Sequence, residues 1–131
     1  MTVFVDTSAI YALLDRDDEN HTPAGEAFAR LIRDESLLTH NYVVVESAAL
    51  IQNRLGAAAR RQLFDDLLGP FELIWVDERI HRSAAAAMIA AESPKISFVD
   101  WTSFEVMRQH GIGRAFAFDE DFARQGFQLV G

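Results

Sequence analysis

Residues 2–14 read Thr2-Val3-Phe4-Val5-Asp6-Thr7-Ser8-Ala9-Ile10-Tyr11-Ala12-Leu13-Leu14. The run Thr2 to Val5 is β-branched or aromatic throughout and predicts a strand. The stretch Thr7 to Leu14 predicts a helix starting as soon as the strand ends, with an aspartate at the junction. Outward from this unit the alternation repeats. After the acidic loop Asp15 to Glu19, Thr22 is placed to cap a helix with Pro23 at its first position, where the missing N–H is not needed, and this helix runs to about Asp34. A short strand near Leu37-Leu38-Thr39 leads to a helix from Asn41 that Gly56 ends as a C-cap. A further helix, Ala57 to Leu68, stops at Gly69-Pro70, and a strand Phe71 to Val76 precedes an alanine-rich helix from Asp77 to Glu92. Beyond the loop Ser93-Pro94-Lys95, a helix from Phe98 to His110, a strand Arg114 to Phe118 and a last short strand Phe127 to Val130 complete the chain. Strands alternating with helices, without two-residue hairpin signals, predict an α/β fold with a central, mainly parallel sheet flanked by helices.

At 131 residues and 50% hydrophobic content, the chain is expected to form one domain over residues 1–131, since single cores commonly occupy roughly 100–150 residues. No stretch approaches the ~20 apolar residues of a membrane helix, and no basic segment followed by a longer apolar one opens the chain, so a cytoplasmic protein with no membrane association is expected. The absence of cysteine excludes disulfides, thiolate nucleophiles and cysteine-held zinc, leaving oxygen or imidazole to bind any metal. The net charge of −8 opposes non-specific adhesion to nucleic acid. It is compatible with a nucleic-acid enzyme whose carboxylates gather around a cation. Lys95 is the only lysine, and the arginines suit bidentate phosphate or carboxylate contacts.

Four acids stand out. Asp6 and Asp119 each end a predicted strand, which is where open α/β sheets keep their chemistry. Glu46 lies in a helix with Tyr42, Val43, Ala49 and Leu50 three and four positions away, so it interrupts an apolar stripe and must pair, protonate or bind a cation where buried. Asp100 follows Ser97 in a Ser-x-x-acid pattern before an apolar helical run. Plainer roles compete: Asp6 and Asp119 suit helix caps, and Ser97 with Asp100 suits a capping box, although the reciprocal bond prefers the longer Glu or Gln. His21, His40, His81 and His110 lack close metal spacing and read as surface or packing residues. There is no glycine-rich phosphate loop. Arg60-Arg61 with Arg54 read as a face toward RNA or a partner or, as is commoner for an arginine pair on a helix, a solvated face, and the phenylalanines read as core.

The blocks Val5-Asp6-Thr7-Ser8-Ala9, Thr39 followed by Glu46, Ser97-Phe98-Val99-Asp100 and Phe116-Ala117-Phe118-Asp119-Glu120-Asp121-Phe122 together resemble the PIN-domain family, in particular the toxin ribonucleases of VapBC toxin-antitoxin modules. The likeness spans essentially the whole chain. It implies a PIN-like single domain whose acids Asp6, Glu46, Asp100 and Asp119 bind Mg²⁺ or Mn²⁺ for phosphodiester hydrolysis, with Ser8 supporting the first aspartate and Asp121 at a position where members vary. It implies in-line attack by metal-activated water on an RNA substrate, leaving 5′-phosphate and 3′-hydroxyl ends. A cognate antitoxin and a homodimer are implied as partners. The antitoxin is expected across the helices before Leu68, where Ala27, Phe28, Leu31, Val44, Leu63, Phe64 and Leu67 carry apolar faces. Trp101 is bulkier than many residues after the third acid.

Two other classes share parts of the pattern. An aspartate-nucleophile phosphatase would show Asp-x-Asp after the first strand, and a phospho-receiver domain a lysine near the last strands; neither is present. A non-catalytic PIN-like module that binds only RNA or protein would be expected to have lost at least one of the four acids.

Overall fold

The computed structural model describes residues 1–131. Its sheet contains β1 (Thr2–Val5), β2 (Ser36–His40), β3 (Phe71–Ile74), β4 (Arg114–Phe116) and β5 (Gln128–Val130) in the order β3-β2-β1-β4-β5. Every neighbouring pair is parallel. The connections carry α1 (Thr7–Leu14), α2 (His21–Asp34), α3 (Asn41–Leu55), α4 (Ala57–Gln62), α5 (Glu78–Ala91), α6 (Phe98–Gln109) and α7 (Asp121–Arg124), with a π-helical segment at Leu63–Leu67. Val3, Phe4 and Val5 of β1, and Ala115 and Phe116 of β4, are fully buried, as expected of central parallel strands covered on both faces. Edge strand β3 exposes Glu72 and Leu73.

Element boundaries follow from where backbone groups find partners. Strand β4 ends at Phe116, not Phe118, because the Phe118 N–H donates to Ser8 Oγ at 2.9 Å. Strand β3 ends at Ile74, not Val76, because the Val76 N–H donates to Asn41 Oδ1 at 2.7 Å. Phe127 lies outside β5, its N–H donating to the Phe122 carbonyl at 3.1 Å. Thr22 does not cap α2. That helix starts at His21 after Asn20, where the His21 ring nitrogen Nδ1 holds the Ala12 carbonyl at 2.7 Å and anchors the helix to α1; Pro23 falls in the first turn, whose N–H groups have no intrahelical partner. The predicted helix 57–68 is divided: the Leu68 N–H reaches back to the Leu63 carbonyl at 3.0 Å, a π-type bond. The wider turn buries both Leu63 and Leu67 and leaves Phe64 half exposed.

Core packing takes up most of the expected apolar docking face. Ala27, Leu31, Leu63 and Leu67 belong to the buried core, whereas Phe28 and Val44 are partly exposed and Phe64 is 51% exposed. No helix is long and apolar enough to cross a membrane.

Candidate active site

Strand order reverses direction of growth at β1: β2 and β3 lie on one side, β4 and β5 on the other. In open α/β sheets this switch point opens a crevice beyond the carboxyl ends of the strands, and Asp6 stands at its edge. The Asp6 N–H donates to the Phe116 carbonyl at 3.0 Å, so its backbone is fixed by β4 as well as by β1. Its side chain caps α1: Oδ2 accepts from the Ser8 N–H at 3.1 Å and from Ser8 Oγ at 2.7 Å. Ser8 Oγ in turn accepts from Phe118 N–H. One hydroxyl thus orients Asp6 and ties down the segment leading to Asp119. The other Asp6 oxygen, Oδ1, is buried with no hydrogen-bond partner.

Around it the structure gathers further acids. Ligand oxygens of Asp100, Asp119 and Asp121 lie within 4.8 Å of one another. Asp6 and Glu46 flank this trio closely enough for their charges to act on it. Asp100 sits in the first turn of α6, where Ser97 Oγ accepts from its N–H at 3.1 Å; the cap is real and leaves the carboxylate available. Asp119 Oδ1 accepts from the Asp121 N–H at 2.9 Å, and Asp121 also pairs with Arg124 at 2.8 Å. Asp119 thus caps α7 as expected, one residue ahead of the helix boundary at Glu120, whose own side chain makes no capping bond. Glu46 is half-buried on α3.

Burial is the main force on these groups. It raises the Asp6 carboxyl to about 6, against the lowering effect of the two Ser8 hydrogen bonds and helped by the charges of Asp119 and Glu46. Burial also raises Asp100 to about 7, with the charges of Asp6, Asp119 and Glu46 adding to it. Asp119 is raised chiefly by burial, with its backbone bond from Asp121 opposing. Three neighbouring carboxyls held above the usual carboxylate range, one with an unpartnered buried oxygen, form a site whose charged state a cation would stabilise.

A residue read as packing proves to align this site. His40 is fully buried at the end of β2. Its Nδ1 accepts from the Val43 N–H at 3.3 Å, capping α3, and its Nε2 donates to Ser103 Oγ at 2.8 Å on α6. Ser103 Oγ donates onward to the Val99 carbonyl at 3.0 Å. His40 therefore couples the helix of Glu46 to the helix of Asp100. Desolvation depresses its pKa to about 3, so it is a neutral structural link. Beside it, Thr39 Oγ1 donates to the Val5 carbonyl at 2.8 Å, closing the ends of β1 and β2. Trp101 is buried edge-to-face on Phe104, with ring centroids 5.5 Å apart. It is a core residue. Arg54, Arg60 and Arg61 are exposed, and Arg60 donates to Gln52 at 3.0 Å.

Comparison with known proteins matches the family model described as PIN domain to residues 3–128. The 23S rRNA-specific endonuclease VapC20 of Mycobacterium tuberculosis H37Rv is 34% identical over 131 residues, covering 98% of this chain and 97% of the relative. The crystal structure of Mycobacterium tuberculosis VapC20, described as a sarcin-ricin loop cleaving toxin, superposes with a TM-score of 0.85 at 32% identity over 95% of each chain. VapBC2 from Rickettsia felis, crystallised with a promoter DNA fragment, shares the fold at a TM-score of 0.75 and 10% identity, over 99% of this chain and 98% of that one.

Proposed function

Because the chain belongs to the PIN-domain family, we propose that it is a Mg²⁺- or Mn²⁺-dependent endoribonuclease, the toxin of a type II toxin-antitoxin pair, and that its target is ribosomal RNA. The observation that carries the metal-dependent reading is the Asp6 carboxylate. One of its oxygens is committed to Ser8 and the other is buried without a partner among like charges, which is costly for an anion unless a cation shares the site.

The donors are all carboxylate, which suits a hard divalent ion. Asp6, Glu46, Asp100 and Asp119 would hold it, with Asp121 as a supporting acid and Ser8 orienting Asp6. The chemistry supplied by such an ion is polarisation of a phosphoryl oxygen and acidification of water. The protein's own part is positional. Ser8 fixes Asp6, and the His40–Ser103 link fixes α3 against α6. In-line attack on phosphorus with departure of the 3′ oxygen leaves 5′-phosphate and 3′-hydroxyl ends.

The ribosomal target rests on VapC20, which is named for 23S rRNA. A folded RNA loop presents splayed nucleotides to a narrow cleft. The partner assignment rests on an apolar groove lined by Val44, Phe64, Leu68, Phe71, Leu73 and Trp75, where Trp75 is 70% exposed; a cognate antitoxin helix fits such a surface. The working form is a cytoplasmic homodimer. Incubating ribosomal RNA with the protein, with and without chelator, and mapping the new 5′ ends tests the proposal. Chelator-sensitive cuts with 5′-phosphates are expected, and chelator-resistant cutting or intact RNA would overturn it.

A further inference from the structure

On the α3 side of the acids lies a second cleft, which shares Glu46 with the acidic site. It has a volume of about 360 Å³ and is lined by Tyr42, Val45, Glu46, His81, Phe98 and Val99. Three of these are aromatic and mutually in contact. His81 and Phe98 have ring centroids 5.1 Å apart at 80°, Tyr42 and His81 5.9 Å apart at 84°, and Tyr42 and Phe98 6.1 Å apart. Tyr42 Oη and His81 Nδ1 are hydrogen-bonded at 2.6 Å across 39 residues of sequence, which holds α3 and α5 together at this point.

Rings set nearly perpendicular form the two walls of a corner. A flat aromatic ligand can lie on one face and abut the edge of the other. The cleft is continuous with the acidic site in two places: Glu46 belongs to both, and Val99 and Phe98 immediately precede Asp100 on α6. Its volume falls at the small end of the ~300–1,000 Å³ range of ligand sites, enough for one planar heterocycle. His81 is exposed on α5, so the corner opens to solvent.

We propose that Tyr42, His81 and Phe98 form a nucleobase subsite that stacks the base of a nucleotide adjoining the cleaved bond. The assignment rests on the nuclease reading above. It makes His81 and Phe98 determinants of where the RNA is cut, separate from the acids that perform the cut. A stacked base contributes roughly 5- to 150-fold in affinity, so losing it should raise KM by that factor with little effect on kcat.

The test uses a short RNA containing one mapped cleavage site, together with versions made abasic at each nucleotide flanking it. Wild-type protein is expected to show the rise in KM for one abasic position alone. His81→Ala, at an exposed residue, and Phe98→Leu are expected to bind intact RNA more weakly and to lose discrimination at that same position. Equal KM for intact and abasic RNA with the wild type, or undiminished discrimination in both variants, overturns the subsite. So does a change in oligomeric state or antitoxin binding in His81→Ala with base discrimination intact, which would make the aromatic corner a protein interface. Should the wild type cut no RNA at all, the nuclease reading fails separately. The subsite is then decided by fluorescence anisotropy with a hexaribonucleotide and its fully abasic counterpart, where equal binding rejects it.

Discussion

Replacing Asp6 with Asn should make the metal-free protein more stable at pH 8 while abolishing its cleavage of RNA. Asn keeps an oxygen for the two Ser8 hydrogen bonds and removes the buried charge. In the wild type, burial lifts this carboxyl from 3.8 to about 6. Between those values the folded state holds a proton that the unfolded state has released, so wild-type stability falls as pH rises through the window. A difference of about 2 pK units at 1.36 kcal/mol each sets a ceiling of about 3 kcal/mol. With chelator present, the variant's advantage in urea unfolding should therefore grow by about 2–3 kcal/mol between pH 4 and pH 8, or roughly 8–10 °C in Tm. The His40 contribution runs the other way with pH but is common to both proteins and cancels in the comparison. Adding Mg²⁺ at pH 8 should stabilise the wild type by mass action and the variant much less. A stability difference independent of pH would refute the claim that Asp6 is a burdened charge, and unimpaired RNA cleavage by the variant would refute its role as a ligand.

Other expectations follow from the same contacts. Asp119→Asn and Asp100→Asn should each lower RNA cleavage at least a hundredfold with unchanged circular dichroism, and activity with Mg²⁺ should rise from acid to mildly alkaline pH as the carboxyls of Asp6 and Asp100 ionise; a peak at strongly acidic pH would contradict this. Ser8→Ala removes the hydroxyl bonding both Asp6 and Phe118 N–H, and should cost about 1–3 kcal/mol in urea unfolding together with a measurable loss of kcat. The depressed His40 pKa implies stability that is present above pH 6.5 and lost as pH falls toward 3, so His40→Gln should flatten the acid limb of the wild-type stability profile. Light scattering should give a dimer mass, and co-expression with a neighbouring antitoxin gene should yield a complex that Phe64→Glu or Trp75→Glu weakens at least tenfold without unfolding the chain.

The strand-helix alternation was legible because each central strand is a short block of buried β-branched or aromatic residues, as in Val3-Phe4-Val5. Asp6 and Asp119 were visible for the related reason that each closes such a block. The seven-residue span Phe116 to Phe122 was less readable. Its strand stops two residues early because Phe118 N–H turns to Ser8, a partner 110 positions away, and local propensity carries no trace of that bond. The same applies to His40, whose role depends on Ser103, 63 positions on. Asp121 stands at a position where family members vary, and a short helix folds it into a trio of acids with Asp100 and Asp119. The Tyr42–His81–Phe98 corner was hidden because its members come from three helices, and each reads alone as an ordinary packing or surface residue.

The parallel join between β1 and β4 also has a consequence for biosynthesis. Val5 pairs with Phe116, so β1 waits for a strand more than a hundred residues further along the chain before that edge is filled. A nascent chain lacking residues beyond 113 already contains Asp6, Glu46 and Asp100 but neither β4 nor Asp119, and Ser8 has no Phe118 to hold. Non-local parallel pairing of this kind is slow to form, and domains generally fold as units once their segments have emerged. For an endoribonuclease, a chain that has not yet placed Asp119 beside Asp6 lacks part of its acid cluster. Chains truncated before β4 should likewise cut no RNA, and activity should begin only once residues 114–119 have emerged and docked beside β1.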